Sequence, residues 1–132
     1  MKYLLDTNAV IALLNGNATV NRHLRQRQPG DIGLSAIVAH ELYYGAYKSR
    51  RQDENVALLD GLQFEIVDFD LECARAAGEI RARLTVAGTP IGPYDVLIAG
   101  QAWSRGLILV TRNSGEFARV TGLKLENWEV GQ

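Results

Sequence analysis

Hydrophobic and polar positions along this chain come in alternating short and long blocks, and the block lengths predict the elements. Residues 2–5 (KYLL) end in an apolar run too short for a helix and read as a buried strand. The polar triplet Asp6-Thr7-Asn8 interrupts the run, and residues 9–14 open a helix that Gly16 ends. Residues 22–28 suit a second short helix, stopped by Pro29 and Gly30, and residues 32–34 form a brief strand. Ser35 then caps a long helical pattern from Ala36 to about Lys48. A further helix over 53–59 closes at Gly61, and residues 64–67 alternate as a strand. Residues 71–86 carry the period of an amphipathic helix ending at Gly88. Pro93 suits the first turn of a helix that Gly106 terminates. A continuous apolar strand follows over 107–110, and a last strand over 124–128.

Strands alternating with helices predict an α/β fold: a three-layer α/β/α arrangement around a central, mostly parallel sheet. No repeat, low-complexity stretch or linker divides the chain, so residues 1–132 are expected to form one domain. Sheets of this kind place their sites beyond the carboxyl ends of the strands. Attention therefore falls on the polar residues that follow each apolar run.

Composition narrows the function classes only slightly. A chain with 47% hydrophobic residues, 22% charged residues and a net charge of −1 is an ordinary globular sequence with no overall pull towards polyanions. Asp6 cuts the N-terminal apolar run short, so neither a signal peptide nor a membrane span is expected, and a cytoplasmic location follows. The single cysteine, Cys73, suits a buried thiol in a reducing compartment. Positive charge is clustered at Arg22, Arg25 and Arg27, at Lys48, Arg50 and Arg51, and at Arg75, Arg81 and Arg83. Such clusters are ordinarily solvated helix faces, and they become candidate phosphate contacts only beside an acidic site.

Four acidic or amide-bearing junctions supply that candidate. Asp6 sits where a helix cap belongs, yet Thr7 and Asn8 also offer capping side chains, leaving Asp6 spare or free to cap and bind at once. Glu41 lies within the apolar SAIVAHELYYGAY, where an unpaired carboxylate is costly and calls for an arginine or a metal ion. Asp95 falls in TPIGPYDVLIAGQAW near a helix N-terminus, a favourable place for negative charge in any protein. LILVTRNSGEF runs from a strand into Thr111, Asn113 and, one turn on, Glu116, although turn chemistry alone accounts for residues 113–115. Each residue has a purely structural explanation. Together they gather oxygen donors at one rim without a histidine or cysteine cluster, which suits Mg²⁺ or Mn²⁺ and phosphoryl chemistry.

Four stretches, LLDTNAVIALL, SAIVAHELYYGA, TPIGPYDVLIAGQA and LILVTRNSGEFARVTGLKLENW, occur in an order that resembles the PIN-domain ribonucleases, and within them the VapC toxins of bacterial toxin–antitoxin pairs. The resemblance implies that Asp6, Glu41 and Asp95 match the family's metal-binding acids, directly or through water, and that Thr111 matches its small hydroxyl residue. Asn113 stands where many members carry a fourth acid, a departure that removes one negative charge and leaves one metal or two as alternatives. Glu116 is the accessory candidate. The resemblance further implies Mg²⁺-dependent hydrolysis of RNA, with transfer RNA a precedent in this branch. Attack by water in line would leave a 5′-phosphate and a 3′-hydroxyl, with His23 and His40 as bystanders. It also implies a homodimer and a VapB-type antitoxin covering the acidic cleft, with DNA reached only through the antitoxin. Tyr43, Tyr44 and Tyr47 suit either a partner surface or core packing. Two rivals remain: a receiver-like signalling domain that binds Mg²⁺ and uses Asp68 as phosphoacceptor, and a PIN adapter that binds RNA or protein without cutting it.

Overall fold

The structure, a computed structural model, describes residues 1–130. Strands β1 (Tyr3–Leu5), β2 (Ile32–Ser35), β3 (Glu65–Val67), β4 (Ile108–Val110) and β5 (Lys124–Glu126) form one parallel sheet in the order β3-β2-β1-β4-β5. The helices are α1 (Thr7–Leu14), α2 (Ala18–Arg25), α3 (Ala36–Lys48), α4 (Gln52–Asp60), α5 (Leu71–Ala87), α6 (Pro93–Arg105) and the single turn α7 (Ser114–Phe117). From β1 the chain works outward through β2 to β3, then crosses to the other side of β1 for β4 and β5. Right-handed crossovers put α1 to α4 on one face of the sheet and α5 and α6 on the other. The reversal of direction places the crevice of the fold between β1 and β4, just past the register partners Leu5 and Val110.

The central strands are buried on both faces, which is why they read as unbroken apolar runs. Leu4, Leu5, Leu109 and Val110 join Val10, Val38, Ile98 and Phe117 in the core. Two features hold α6, the helix that carries Asp95. Gly100 lets it approach α5 closely: a Cβ there would lie 2.7 Å from the Cβ of Ala77, closer than any side chain tolerates. Gln101, fully buried, accepts a hydrogen bond from the Ser35 hydroxyl and donates to the carbonyls of Val67 (2.7 Å) and Asp68 (3.0 Å). Ser35 in turn accepts from the amides of Ile37 and Val38 as the cap of α3. One buried amide therefore ties α6 to the ends of β2 and β3 and to the start of α3. A buried polar group satisfied this fully fixes register as well as adding stability.

Several boundaries differ from expectation, each for a local reason. α2 begins at Ala18, not Arg22, because Asn17 caps it by accepting from the Val20 amide at 3.0 Å. It ends at Arg25, and Arg27 instead lies over the rings of Tyr3 (4.9 Å) and Trp128 (4.5 Å) while donating to the His23 carbonyl. The last strand stops at Glu126, because Trp128 turns into the core and stacks on His23 with ring centroids 5.5 Å apart. Cys73 is buried, as expected. The receiver-like reading fails on topology. Asp68 is exposed beyond β3, an edge strand separated from β1 by β2, hence about 10 Å across the sheet from the Asp6 junction. Among the described residues no helix is long and apolar enough to cross a membrane.

Candidate active site

Asp6 leaves β1 at the crevice, its amide donating to the Val110 carbonyl at 3.1 Å. Its extended backbone and short side chain make it the N-cap of α1, accepting from the Ala9 amide at 2.8 Å. Asp6 is thus the cap, one of the two alternatives the sequence left open for it, and is not spare. Thr7 has a different partner: its hydroxyl donates to Glu41 Oε1 at 3.0 Å and so orients that carboxylate across the gap between α1 and α3. Asp6 is only 4% exposed, and burial pushes its carboxyl above the ordinary range. A hydrogen bond from the Thr111 side chain and the Ala9 amide oppose that rise.

Thr111 reaches the same point from β4. It is buried, and its Oγ1 accepts from the Asn113 amide at 2.9 Å while the side chain bonds Asp6. One hydroxyl thereby links the two strand ends that flank the crevice. Asp95 arrives from the first turn of α6, just after Pro93. Its carboxyl is pushed up to about 6, first by burial and then by the negative charges of Glu116, Glu41 and Asp6. Glu116 lies close enough to Asp95 to raise its carboxyl, accepts from the Gly92 amide at 2.9 Å through Oε1, and accepts from Asn113 Nδ2 through Oε2. Gly92 is a close neighbour of the carboxyl, since a Cβ there would come within 3.2 Å of Asp95 Oδ2.

The fold therefore brings Asp6, Glu41, Asp95, Thr111, Asn113 and Glu116 to one rim. Glu116 occupies the first turn of α7 and also faces Asp95, so charge at a helix start and membership of the acidic group coincide. Asn113 faces Glu116, holding that carboxylate in place. Among the described residues no three His, Cys, Asp or Glu side chains converge tightly enough to make a ready cage. The donors nevertheless suit a hard cation: all are oxygens, the charges of Glu116, Glu41 and Asp6 add to the burial that raises Asp95, and Arg112, the nearby cation acting on Asp6, is 60% exposed and turned to Glu129 at 3.8 Å.

The clustered cations are more dispersed. Arg22 and Arg25 are exposed on α2, whereas Arg27 is held by the two aromatic rings. Lys48 lies over the Tyr44 ring at 4.8 Å, about 10 Å along α3 from Glu41, with exposed Arg50 and Arg51 beyond it and Arg51 paired with Glu54. Arg75, Arg81 and Arg83 are exposed on α5, and Arg83 pairs with Glu79. Arg112 belongs to none of these clusters, although its place in TRN, next to a candidate hydroxyl, marks it in the sequence. Tyr44 and Tyr47 are exposed at 62% and 57%, while Tyr43 is partly buried and donates to Asp60 at 2.6 Å.

The PIN domain family model matches residues 3–123. The chain belongs to the PIN-domain family. Within it, the chain is similar to the VapC ribonucleases. It is 41% identical over 133 aligned residues to the tRNA(fMet)-specific endonuclease VapC of Salmonella typhimurium, covering 97% of this chain and 98% of that protein. The crystal structure of DNA-bound VapBC from Salmonella typhimurium superposes with a TM-score of 0.92 at 39% identity, covering 97% of this chain and 98% of the other. VapBC2 from Rickettsia felis, bound to a promoter DNA fragment, gives 0.89 at 37% identity over 97% and 99%. The α/β/α arrangement is thus the PIN fold, and the acidic rim lies where this PIN domain's central strands end.

Proposed function

We propose that this PIN-domain protein is a Mg²⁺-dependent endoribonuclease that hydrolyses phosphodiester bonds in RNA and is the toxin of a toxin–antitoxin pair. One observation carries the reading: Asp6, Glu41, Asp95 and Glu116 gather at the sheet crevice with no buried cation among the described residues to neutralise them, and burial, reinforced by the charges of Glu116, Glu41 and Asp6, pushes Asp95 up to about 6. A structural role for these acids would favour partners, whereas a cation-binding role favours this mutual repulsion.

Asp6, Glu41 and Asp95 would hold Mg²⁺, directly or through water, with Mn²⁺ a chemical substitute. When bound, the ion supplies Lewis-acid polarisation of the phosphate and lowers the pKa of water enough to make a nucleophile at neutral pH. The protein's own contribution is orientation. Thr111 fixes the Asp6 rotamer, Thr7 turns Glu41 inward, and Gly92 and Asn113 fix Glu116 against Asp95. Arg112 is placed to meet a phosphate at the entrance. Neither histidine offers acid–base catalysis at the crevice floor: His23 is stacked on Trp128, and His40 is an exposed residue of α3. Asn113 carries no charge of its own and serves the site through Glu116, which favours one tightly held ion over two.

The resemblance to a tRNA(fMet)-specific endonuclease supports transfer RNA as substrate. Similarity to VapBC complexes supports a VapB-type antitoxin as partner, with DNA reached through the antitoxin. The exposed Tyr44 and Tyr47, together with Tyr43, form the candidate partner surface, and a homodimer acting in the cytoplasm as a single domain completes the reading. Exposed Arg22, Arg25, Arg81, Arg83, Lys48, Arg50 and Arg51 are candidate phosphate contacts, and binding that depends on them weakens steeply with salt. The experiment is end-mapping of total RNA after incubation with Mg²⁺. A 5′-phosphate and a 3′-hydroxyl at discrete sites are expected. Products ending in 2′,3′-cyclic phosphate, or RNA bound and left intact, would replace this reading with metal-free cleavage or with the non-cutting adapter.

A further inference from the structure

Each of two candidate ligand acids is preceded in sequence by an exposed aromatic residue: His40 before Glu41 on α3, and Tyr94 before Asp95 on α6. The packing that brings the two acids together also brings these rings together, with centroids 5.3 Å apart and planes inclined at 53°. Tyr94 is 47% exposed, and among the described residues its hydroxyl makes no hydrogen bond to another side chain or to the backbone. Burial explains neither ring, and neither is spent on a cap or an ion pair.

Tyr94 also forms one wall of a cavity of about 750 Å³ that runs between α5 and the start of α6. Phe69, Ala77, Ile91 and Leu97 line it with apolar surface, and Arg81 is its single cation. The volume lies in the range of small-ligand sites. The composition suits a flat, apolar, weakly polar-edged group attached to a phosphate. A carboxylate-rich or strongly cationic peptide would find little here to pair with.

From this geometry we infer that Tyr94 and His40 form a stacking platform for one nucleobase of the RNA strand, next to the bond that is cut, with the Phe69–Arg81 cavity accepting the nucleotide beyond it. The inference rests on the ribonuclease reading and adds a subsite to it. His40 and Tyr94 adjoin Glu41 and Asp95 in the chain, so a nucleotide flanking a phosphate held at the acids has an exposed aromatic pair beside it. Sequence readers of RNA splay single-stranded bases onto aromatic side chains, because every base offers a π-face. A tyrosine loses little conformational freedom in doing so. The platform positions substrate and takes no part in proton transfer.

The test uses the full chain and a single-stranded RNA oligonucleotide selected from a random-sequence pool for cleavage by the wild-type protein. Stacking is present before and during the reaction, so its loss raises KM and leaves kcat near its wild-type value. Tyr94→Leu should raise KM about ten-fold, Tyr94→Phe should restore it, and His40→Ala should give a smaller rise. An abasic scan of the oligonucleotide should find one position where removing the base raises the wild-type KM by a similar factor and leaves Tyr94→Leu unaffected. Losses that multiply in full, failure of phenylalanine to rescue, or a Tyr94→Leu change in sedimentation showing that the ring joins copies of the chain would each overturn the platform. Should the wild type cut RNA while Tyr94→Leu keeps the same KM, the platform falls and the ribonuclease reading stands. A wild type that cuts no RNA in Mg²⁺ defeats the ribonuclease reading and the platform with it.

Discussion

Removing the charge of Asp95 should stabilise the metal-free protein while abolishing its chemistry. The carboxyl of Asp95 rises from an ordinary 3.8 to about 6 through burial and the charges of Glu116, Glu41 and Asp6. At about 1.4 kcal/mol per tenfold change in proton affinity, that rise corresponds to about 3 kcal/mol of destabilisation when the group is ionised. Asp95 is only partly buried, so solvent screening reduces the figure to about 1–2 kcal/mol. The sign follows from linkage. A carboxyl whose folded pKa exceeds its unfolded value of about 3.9 favours the fold below that value and loses this contribution as pH rises through about 6. Asparagine keeps the shape, cannot ionise, and donates to Glu116. Asp95→Asn should therefore match the wild type near pH 4 and exceed it above pH 6.5, with a melting temperature in EDTA higher by about 3–7 °C for a chain of this size. Thermal unfolding followed by circular dichroism at pH 4.5 and 7.5 reads this directly. A variant equally displaced at both pH values, or less stable than wild type at pH 7.5, would refute the claim that the acids repel one another.

Further substitutions probe the supports of the site. Thr7→Val removes the donor to Glu41 Oε1 and should lower cleavage several-fold with a melting temperature near wild type; an unchanged rate would make that hydrogen bond incidental. Asn113→Asp sets a carboxylate against Glu116, so it should destabilise the metal-free protein by about 1 kcal/mol or more and increase the stabilisation that Mg²⁺ provides. Equal Mg²⁺ responses in the two proteins would show that Asn113 lies outside the ion's reach. Gln101→Leu strands the carbonyls of Val67 and Asp68 and should cost about 2–4 kcal/mol in urea unfolding; a loss below 1 kcal/mol would show that these carbonyls find other partners.

Much of this architecture is legible in the sequence because the parallel strands and the helix punctuation are local. The runs ending at Leu5 and Val110 announce two buried strands, and Ser35, Pro93 and Gly106 mark helix ends that the structure keeps. Asp6, Asp95 and Thr111 are recoverable because each breaks an apolar pattern at a strand or helix end, and Glu41 because it interrupts the apolar run inside α3. What escapes is contact at long range. The partners of Gln101 lie 33 to 66 residues away, so nothing in VLIAGQAW shows that the glutamine points inward to a carbonyl pair. The pairing of Thr7 with Glu41 spans 34 residues, and from the sequence alone Thr7 passes for a helix cap. Asn17 is missed because the stretch it caps, ATVNRHLR, mixes β-branched and polar residues and shows no strong helical signal until Arg22. His40 reads as a bystander because the ring it meets is supplied by a helix 54 residues later in the chain.

The central claim is that the acids of the crevice act through a divalent cation on RNA. The most direct measurement is the rate of RNA cleavage as Mg²⁺ is titrated into metal-stripped protein, for the wild type and for Asp6→Asn. Cleavage that is absent in EDTA, rises saturably with Mg²⁺ in the wild type and stays near zero in Asp6→Asn at every concentration is the predicted result. Metal-stripped wild type that cuts at the full rate, or Asp6→Asn that cuts as fast as wild type in Mg²⁺, would contradict it.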